Sequence, residues 1–132
     1  MQRKIQLLAI LLAILSVLTA GCASYEIAKD FNKQKIETTY ATPIASIHAD
    51  NFGYYLFNSI PLITGDTKNV NSFCVFKNTV KVKPVIAMLT EKAKELEATR
   101  TTNIKTDVEQ TGVFGLWIFW YRDVQASGNA VK

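Results

Sequence analysis

Histidine and cysteine are scarce in this chain: His48 is the only imidazole, and Cys22 and Cys74 are the only thiols among 132 residues. Two cysteines cannot build the stapled framework of small secreted domains, and one histidine leaves little for a structural zinc centre. A metal site could be drawn from His48, Asp50 and Cys74, but nothing in their spacing calls for one, so neither metal nor cofactor is expected. No Ser-His-Asp, Cys-His or paired-carboxylate pattern can be argued around His48, and no glycine-rich loop could cradle a phosphate. The chain therefore does not read as an enzyme. Charge of neither sign dominates, with 15 Lys and Arg against 11 Asp and Glu. No basic cluster forms a nucleic-acid footprint. Internal repeats and low-complexity tracts are missing as well.

What is present begins at the N-terminus. Arg3 and Lys4 precede Leu7–Ala20, which carries no charge, and Leu18-Thr19-Ala20-Gly21-Cys22 follows the pattern of a lipobox. Small residues at Ala20 and Gly21 let a peptidase grip the extended backbone, and the Cys22 thiol can take a diacylglyceryl group through a thioether. Fourteen uncharged residues are short against the roughly 20 that span a bilayer core. Residues 1–21 are thus expected to be a signal peptide cleaved between Gly21 and Cys22, with acyl chains on Cys22 holding the mature protein to a membrane. Ala23 stands where an aspartate would retain a Gram-negative lipoprotein at the inner membrane. This favours the outer membrane, with the domain facing the periplasm.

Cleavage would leave roughly 110 residues, enough for one modest core. Residues 22–42 are polar and loosely patterned and read as the lipidated cysteine and a tether. Residues 43–132 read as a small α+β domain, an antiparallel sheet of about four strands with one main helix. Residues 44–49 suit a strand, Asp50-Asn51-Phe52-Gly53 supplies turn residues, and Tyr54–Ile60 suits a second strand. Pro61 and Gly65-Asp66 suggest that Leu62-Ile63 leaves the sheet as a loop. Phe73-Cys74-Val75-Phe76 falls in a further extended piece, where Cys74 reads as a small buried thiol.

Val82, Val85, Ile86, Leu89, Ala93 and Leu96 form one apolar stripe of a helix over 80–98, capped by Asn78 or Thr79, with Pro84 near its first turn. Glu91, Lys92, Lys94 and Glu95 are expected on its solvated side. Ile104, Thr106 and Val108 alternate with Lys105, Asp107 and Glu109, the pattern of a half-buried strand. In the closing strand, Val124, Ala126, Gly128 and Ala130 make a small-residue face suited to a close-packed neighbour.

The order of strand, helix ending Leu96-Glu97-Ala98, alternating strand and final Val124–Val131 strand resembles small bacterial domains of the β-α-β-β kind. These include envelope lipoproteins of the Rcs stress-sensor type and the YbjQ-like family labelled as putative heavy-metal binding. The resemblance implies an envelope protein over residues 44–132. Glu97 stands where those domains place a glycine, and the paired cysteines of the stress-sensor type are missing.

The unusual physical feature is aromatic. Phe114, Trp117, Phe119, Trp120 and Tyr121 crowd one run, and Tyr54, Tyr55, Phe57 and Ile60–Ile63 make a second apolar concentration. Strict alternation sends Trp117, Phe119 and Tyr121 to one side and Leu116, Ile118 and Trp120 to the other. We expect Trp117, Phe119, Trp120 and Tyr121 to supply an interaction surface, with Trp120 available and Trp117 in the core. The function expected is a non-enzymatic interaction or structural module bound to a membrane and an envelope protein partner. A small-ligand or metal-binding periplasmic domain is the alternative.

Overall fold

The structure is a computed structural model that describes Gln6 and residues 22–29, 41–113 and 117–132. Apart from Gln6, the expected signal peptide lies outside the described residues, as do Gly21, residues 30–40 of the expected tether, Phe114 and Leu116. No helix among the described residues is long and apolar enough to cross a membrane.

Among the described residues from Cys22 onward, six strands and one helix make an α+β fold: β1 (Ala23–Ala28), β2 (Pro43–Leu56), β3 (Ile60–Gly65), β4 (Phe73–Val75), α1 (Val82–Glu95), β5 (Arg100–Gly112) and β6 (Phe119–Val131). The sheet is antiparallel in the order β4-β3-β2-β6-β5. β1 also pairs with β2, from Ala23 opposite Asn51 to Ala28 opposite Ser46. It lies along the half of β2 that β3 leaves open, since β3 pairs only with Gly53–Leu56. The sheet has six strands rather than about four because Ala23–Ala28, expected in a tether, forms β1, and because Leu62-Ile63, expected to leave the sheet as a loop, lies within β3.

The Asp50–Gly53 turn expected from sequence is not formed. β2 runs straight through it, since β6 pairs along its whole length and β1 pairs with Asp50 and Asn51 on the other side. Ladder partners on both edges outweigh local turn preference. The reversal falls instead at Phe57-Asn58, where both residues have positive φ (49° and 60°) and Ser59 N–H donates to Leu56 O at 3.1 Å, as in a type I′ hairpin. Pro61 is tolerated in β3 because it lies at a register shift and beyond the short β4.

Alternation along the two long strands sorts the side chains. On β2, Ala45, Ile47, Ala49, Asn51 and Tyr55 point to one side and are fully buried. On β6, Val124, Ala126 and Ala130 share that side, the small-residue face expected from sequence. α1 lies over it, contributing Val85, Met88, Leu89 and Ala93. Met88 belongs to this apolar face although the stripe read from sequence omitted it. Lys92, expected on the solvated side, is half-buried at its border: its ammonium lies 5.5 Å from the Tyr25 ring centre and 2.6 Å from the exposed Glu95.

The helix is shorter than 80–98 because Asn78 and Thr79 are occupied elsewhere and do not cap it. Tyr55 O–H donates to Asn78 Oδ1 at 2.9 Å, and Thr79 Oγ1 sits 2.5 Å from Gly65 O and 2.7 Å from Thr64 Oγ1. Asn51 Nδ2 donates to Thr79 O at 3.1 Å, and the Thr64 hydroxyl donates to Lys77 O at 2.7 Å. This buried polar cluster pins the 77–80 segment onto β2 and β3, where each satisfied group avoids the cost of an orphaned one. At the other end, Ala98 N–H reaches Ala93 O and Glu97 N–H reaches Lys94 O, with Glu97 left-handed at φ 62°. That is a Schellman stop at the position where a glycine is usual.

Leu89 is fully buried against the sheet while Lys94 is exposed. Leu89→Ala should cost about 2–5 kcal/mol, and Lys94→Ala less than about 0.5 kcal/mol. Urea titration of the two variants checks the helix orientation.

Candidate functional site

One face of the sheet carries α1; no described element covers the other. On β2 this second face begins polar, with Ser46, His48 and Asp50, and ends apolar, with Phe52, Tyr54 and Leu56. Register extends the apolar end sideways. Val75, Ile63, Tyr54 and Tyr121 are direct neighbours across β4, β3, β2 and β6, and Ile60, Leu56 and Phe119 make a parallel row. Side chains opposite one another in a ladder share a face, so these residues form one stripe across four strands. Val75 is 53% exposed and Phe73, two residues before it on the same face, 46%. Phe52, Tyr54 and Tyr121 pack among themselves with ring centres 5.6–6.3 Å apart.

Polar groups border the stripe on one side. Asp123, directly opposite Phe52, is almost fully buried; Gln125 Nε2 donates to its Oδ2 at 2.7 Å. Ser24 Oγ donates to Asp50. Removal from water pushes the Tyr121 phenol up to about 12, helped by the negative charge of Asp123, Glu109 and Asp50. Tyr25, on the helix side with its O–H donated to Met88 O at 3.1 Å, also rises to about 12, mainly by burial and then through Glu95 and Glu91.

The expected aromatic surface is split by the fold. Phe119 and Tyr121 do lie on the uncovered face. The two tryptophans take the reverse of the expected roles. Trp117 sits in the turn before β6, 85% exposed, so strand alternation does not govern it. Trp120 is opposite Tyr55, half-buried against the core on the helix side, and its Nε1–H donates to Trp117 O at 3.0 Å. Tyr54, Phe73, Val75, Ile60 and Ile63 complete the stripe; the sequence signal for Tyr54 was alternation along β2, hidden by the apparent turn at 50–53.

His48, Asp50 and Cys74 do not converge. His48 and Asp50 share the uncovered face, whereas Cys74 pairs with Thr64 on the other side, two strands away. Among the described residues no three His, Cys, Asp or Glu side chains could hold a metal ion. Burial raises the Cys74 thiol, with Asp66 adding to the effect and Lys77 opposing it. A cleft of about 360 Å³ opens between the start of α1 and the 66–68 loop, lined by Lys68, Lys77 and Lys83 together with Asp66 and Glu91.

Cys22 immediately precedes β1 and is 6% exposed, and burial raises its thiol. Its carbonyl accepts the Phe52 N–H at 2.8 Å, and its backbone crosses close to Gly65, where a Cβ would come within 2.5 Å of the Cys22 carbonyl. Gly65 is therefore required for β1 and β3 to share one side of β2. Comparison with known protein families, with curated proteins and with solved structures finds no match.

Trp117→Ala should leave stability within about 0.5 kcal/mol of the parent. Trp120→Ala should cost about 2–4 kcal/mol. Iodide should quench Trp117 far more than Trp120, which single-tryptophan variants can resolve. The raised phenols of Tyr25 and Tyr121 hold their protons more tightly in the folded state, so their stability contribution is complete below pH 10, the ordinary tyrosine value, and is lost as pH rises towards 12. Tyr121→Phe should reduce that alkaline loss in denaturant titrations between these values.

Proposed function

We propose that this protein is a lipid-anchored envelope protein, carried by acyl chains on Cys22, that works without catalysis as an interaction module through the uncovered sheet face. The observation that carries the reading is the aromatic and aliphatic stripe on a face with no covering layer among the described residues. Exposed apolar side chains that are contiguous across four strands are costly in water and mark contact surfaces. Support for the anchor comes from the Leu18–Cys22 sequence and from Ala23, which favours the outer membrane.

The fold adds a spatial consequence to that reading. β1 starts at Ala23 and Cys22 hydrogen-bonds Phe52, so no spacer separates a lipid on Cys22 from the sheet. A diacylglyceryl group does not fit the buried side-chain position, so lipidation requires the chain at Cys22 to turn outward. The stripe would then face an envelope protein partner close to the membrane surface. The residues around its tip, 53–63, 73–78, 110–113 and 117–122, contain Lys77 and Arg122 and no carboxylate, which suits a partner near anionic headgroups. Small-ligand binding is a second reading, favoured only by the lysine-lined cleft beside α1.

Cys22→Ser should release the protein from membranes after carbonate washing or leave the precursor uncleaved; unchanged, cleaved and wash-resistant material would overturn the anchor. Phe73→Ser with Val75→Ser should keep the thermal midpoint within a few degrees while abolishing chemical cross-linking to envelope proteins. Unaltered cross-linking would remove the stripe as the contact surface.

A further inference from the structure

Among the described residues β5 is the outermost strand on its side of the sheet, thirteen residues long, and exposed along nearly its whole length. Its hydrogen-bonding phase can be read from two contacts. Val113 N–H donates to Phe119 O at 2.9 Å, so by the twofold period the odd residues of β5 bond to β6 and the even ones point outward. In agreement, Val108 N–H is taken by the neighbouring Asp107 Oδ1 at 2.9 Å instead of by β6. The backbone groups of Ile104, Thr106 and Val108 thus form an edge that no other strand among the described residues pairs with, the Val108 N–H being held only by its neighbour's side chain. The irregularity between Thr102 and Lys105, with Asn103 at φ 53°, ends this edge.

A lysine in the middle of an edge strand normally discourages pairing. Here the sequence Ile104-Lys105-Thr106-Asp107-Val108 is complementary to itself when reversed. We propose that the protein forms a twofold dimer in which β5 pairs antiparallel with β5 of a second copy, centred on Thr106. In that register Thr106 faces Thr106 of the partner subunit and exchanges both backbone hydrogen bonds with it. Ile104, 40% exposed, meets the partner's Val108, 52% exposed, and the same contact recurs on the other side of the axis. Lys105 stands opposite the partner's Asp107, again twice, at the non-hydrogen-bonded positions where side chains approach most closely. Asp107 then exchanges its bond to Val108 N–H for the partner's Lys105, and Val108 N–H donates to the carbonyl of Ile104 of the partner subunit.

Neighbouring registers fail on charge. Centring on residue 105 sets Lys105 against its own copy, and centring on residue 107 does the same with Asp107. Centring on Val108 places Asp107 opposite Glu109. The Thr106 register gives two opposite-charge pairs and no like-charge pair, and every contact is repeated by the axis, as an isologous interface requires. The result is one continuous sheet of both copies, and its uncovered faces lie on the same side. This proposal does not depend on the lipid anchor or on the stripe.

The test is disulfide trapping in the full chain. Thr106→Cys places two thiols at Cα positions about 5.5 Å apart across the axis, within disulfide reach. After mild copper-phenanthroline oxidation it should give at least tenfold more covalent dimer on non-reducing gels than the wild-type chain, which carries the same Cys22 and Cys74. Gln110→Cys, also on the outward edge but facing Thr102 of the partner subunit, should remain at the wild-type level. Adding Lys105→Asp to the Thr106→Cys chain should cut the dimer at least tenfold, and adding Asp107→Lys as well should restore it. Circular dichroism of each variant confirms that the fold is retained. Wild-type-level trapping at residue 106, equal trapping at 106 and 110, or failure of the double charge exchange to restore the dimer would overturn the proposal.

Discussion

The ladder between β2 and β6 is the constraint on which the rest of the structure depends. It joins Pro43–Leu56 to Phe119–Val131 with one irregularity, near Pro43. Because side-chain direction alternates strictly along a strand, one continuous register decides the destination of every side chain on both. From Ala45 to Leu56 and from Phe119 to Ala130, odd residues of β2 and even residues of β6 lie on the α1 side and the others on the uncovered face. A one-residue slip would expose Ile47 and Ala49 and bury His48 and Asp50, which the core could not tolerate. The same parity makes the aromatic stripe contiguous, because it places Tyr54 beside Tyr121 and Leu56 beside Phe119.

Around that ladder the chain is held by close backbone approach and buried polar contacts as much as by apolar burial. Gly65 admits the Cys22 backbone, and Gly53 admits Thr64, whose Cγ2 would lie 2.7 Å from an added Cβ. Thr64, Thr79 and Asn51 then tie the segment before α1 to the sheet. The beginning of the proposed mature chain, the hairpin and the helix start therefore meet at one place. A change in how Cys22 sits acts directly on Phe52 and Gly65, and so on the border of the uncovered face.

The two unfilled surfaces differ in kind. The uncovered face offers side chains and suits a partner that buries rings. The β5 edge offers backbone groups and a charge pattern that matches its own copy. They do not compete, because edge pairing in the plane of the sheet leaves its faces open. A dimer would place two stripes on the same side of a doubled sheet, and two lipid anchors on one assembly would strengthen its hold on a membrane by avidity.

Local chemistry determined what short-range patterns can encode. The apolar spacing of Val85, Leu89 and Ala93 marked the helix and its buried side, and the small residues of Val124–Ala130 marked a close-packed strand, whereas nothing in the sequence marked the left-handed stop at Glu97. Tertiary structure alone decided whether the turn-forming Asp50–Gly53 turns, since β1 and β6 supply ladder partners that no local preference can foresee. It decided that Ala23–Ala28 joins the sheet, through a ladder with distant residues that runs from Ala28 opposite Ser46 to Ala23 opposite Asn51. It also decided the tryptophans: Trp117 and Trp120 are equally apolar as sequence, but only the position where β6 begins tells which obeys strand alternation. The alternating Ile104–Val108 run was legible as a strand, whereas its exposure was not, because an edge is defined by what fails to lie beside it.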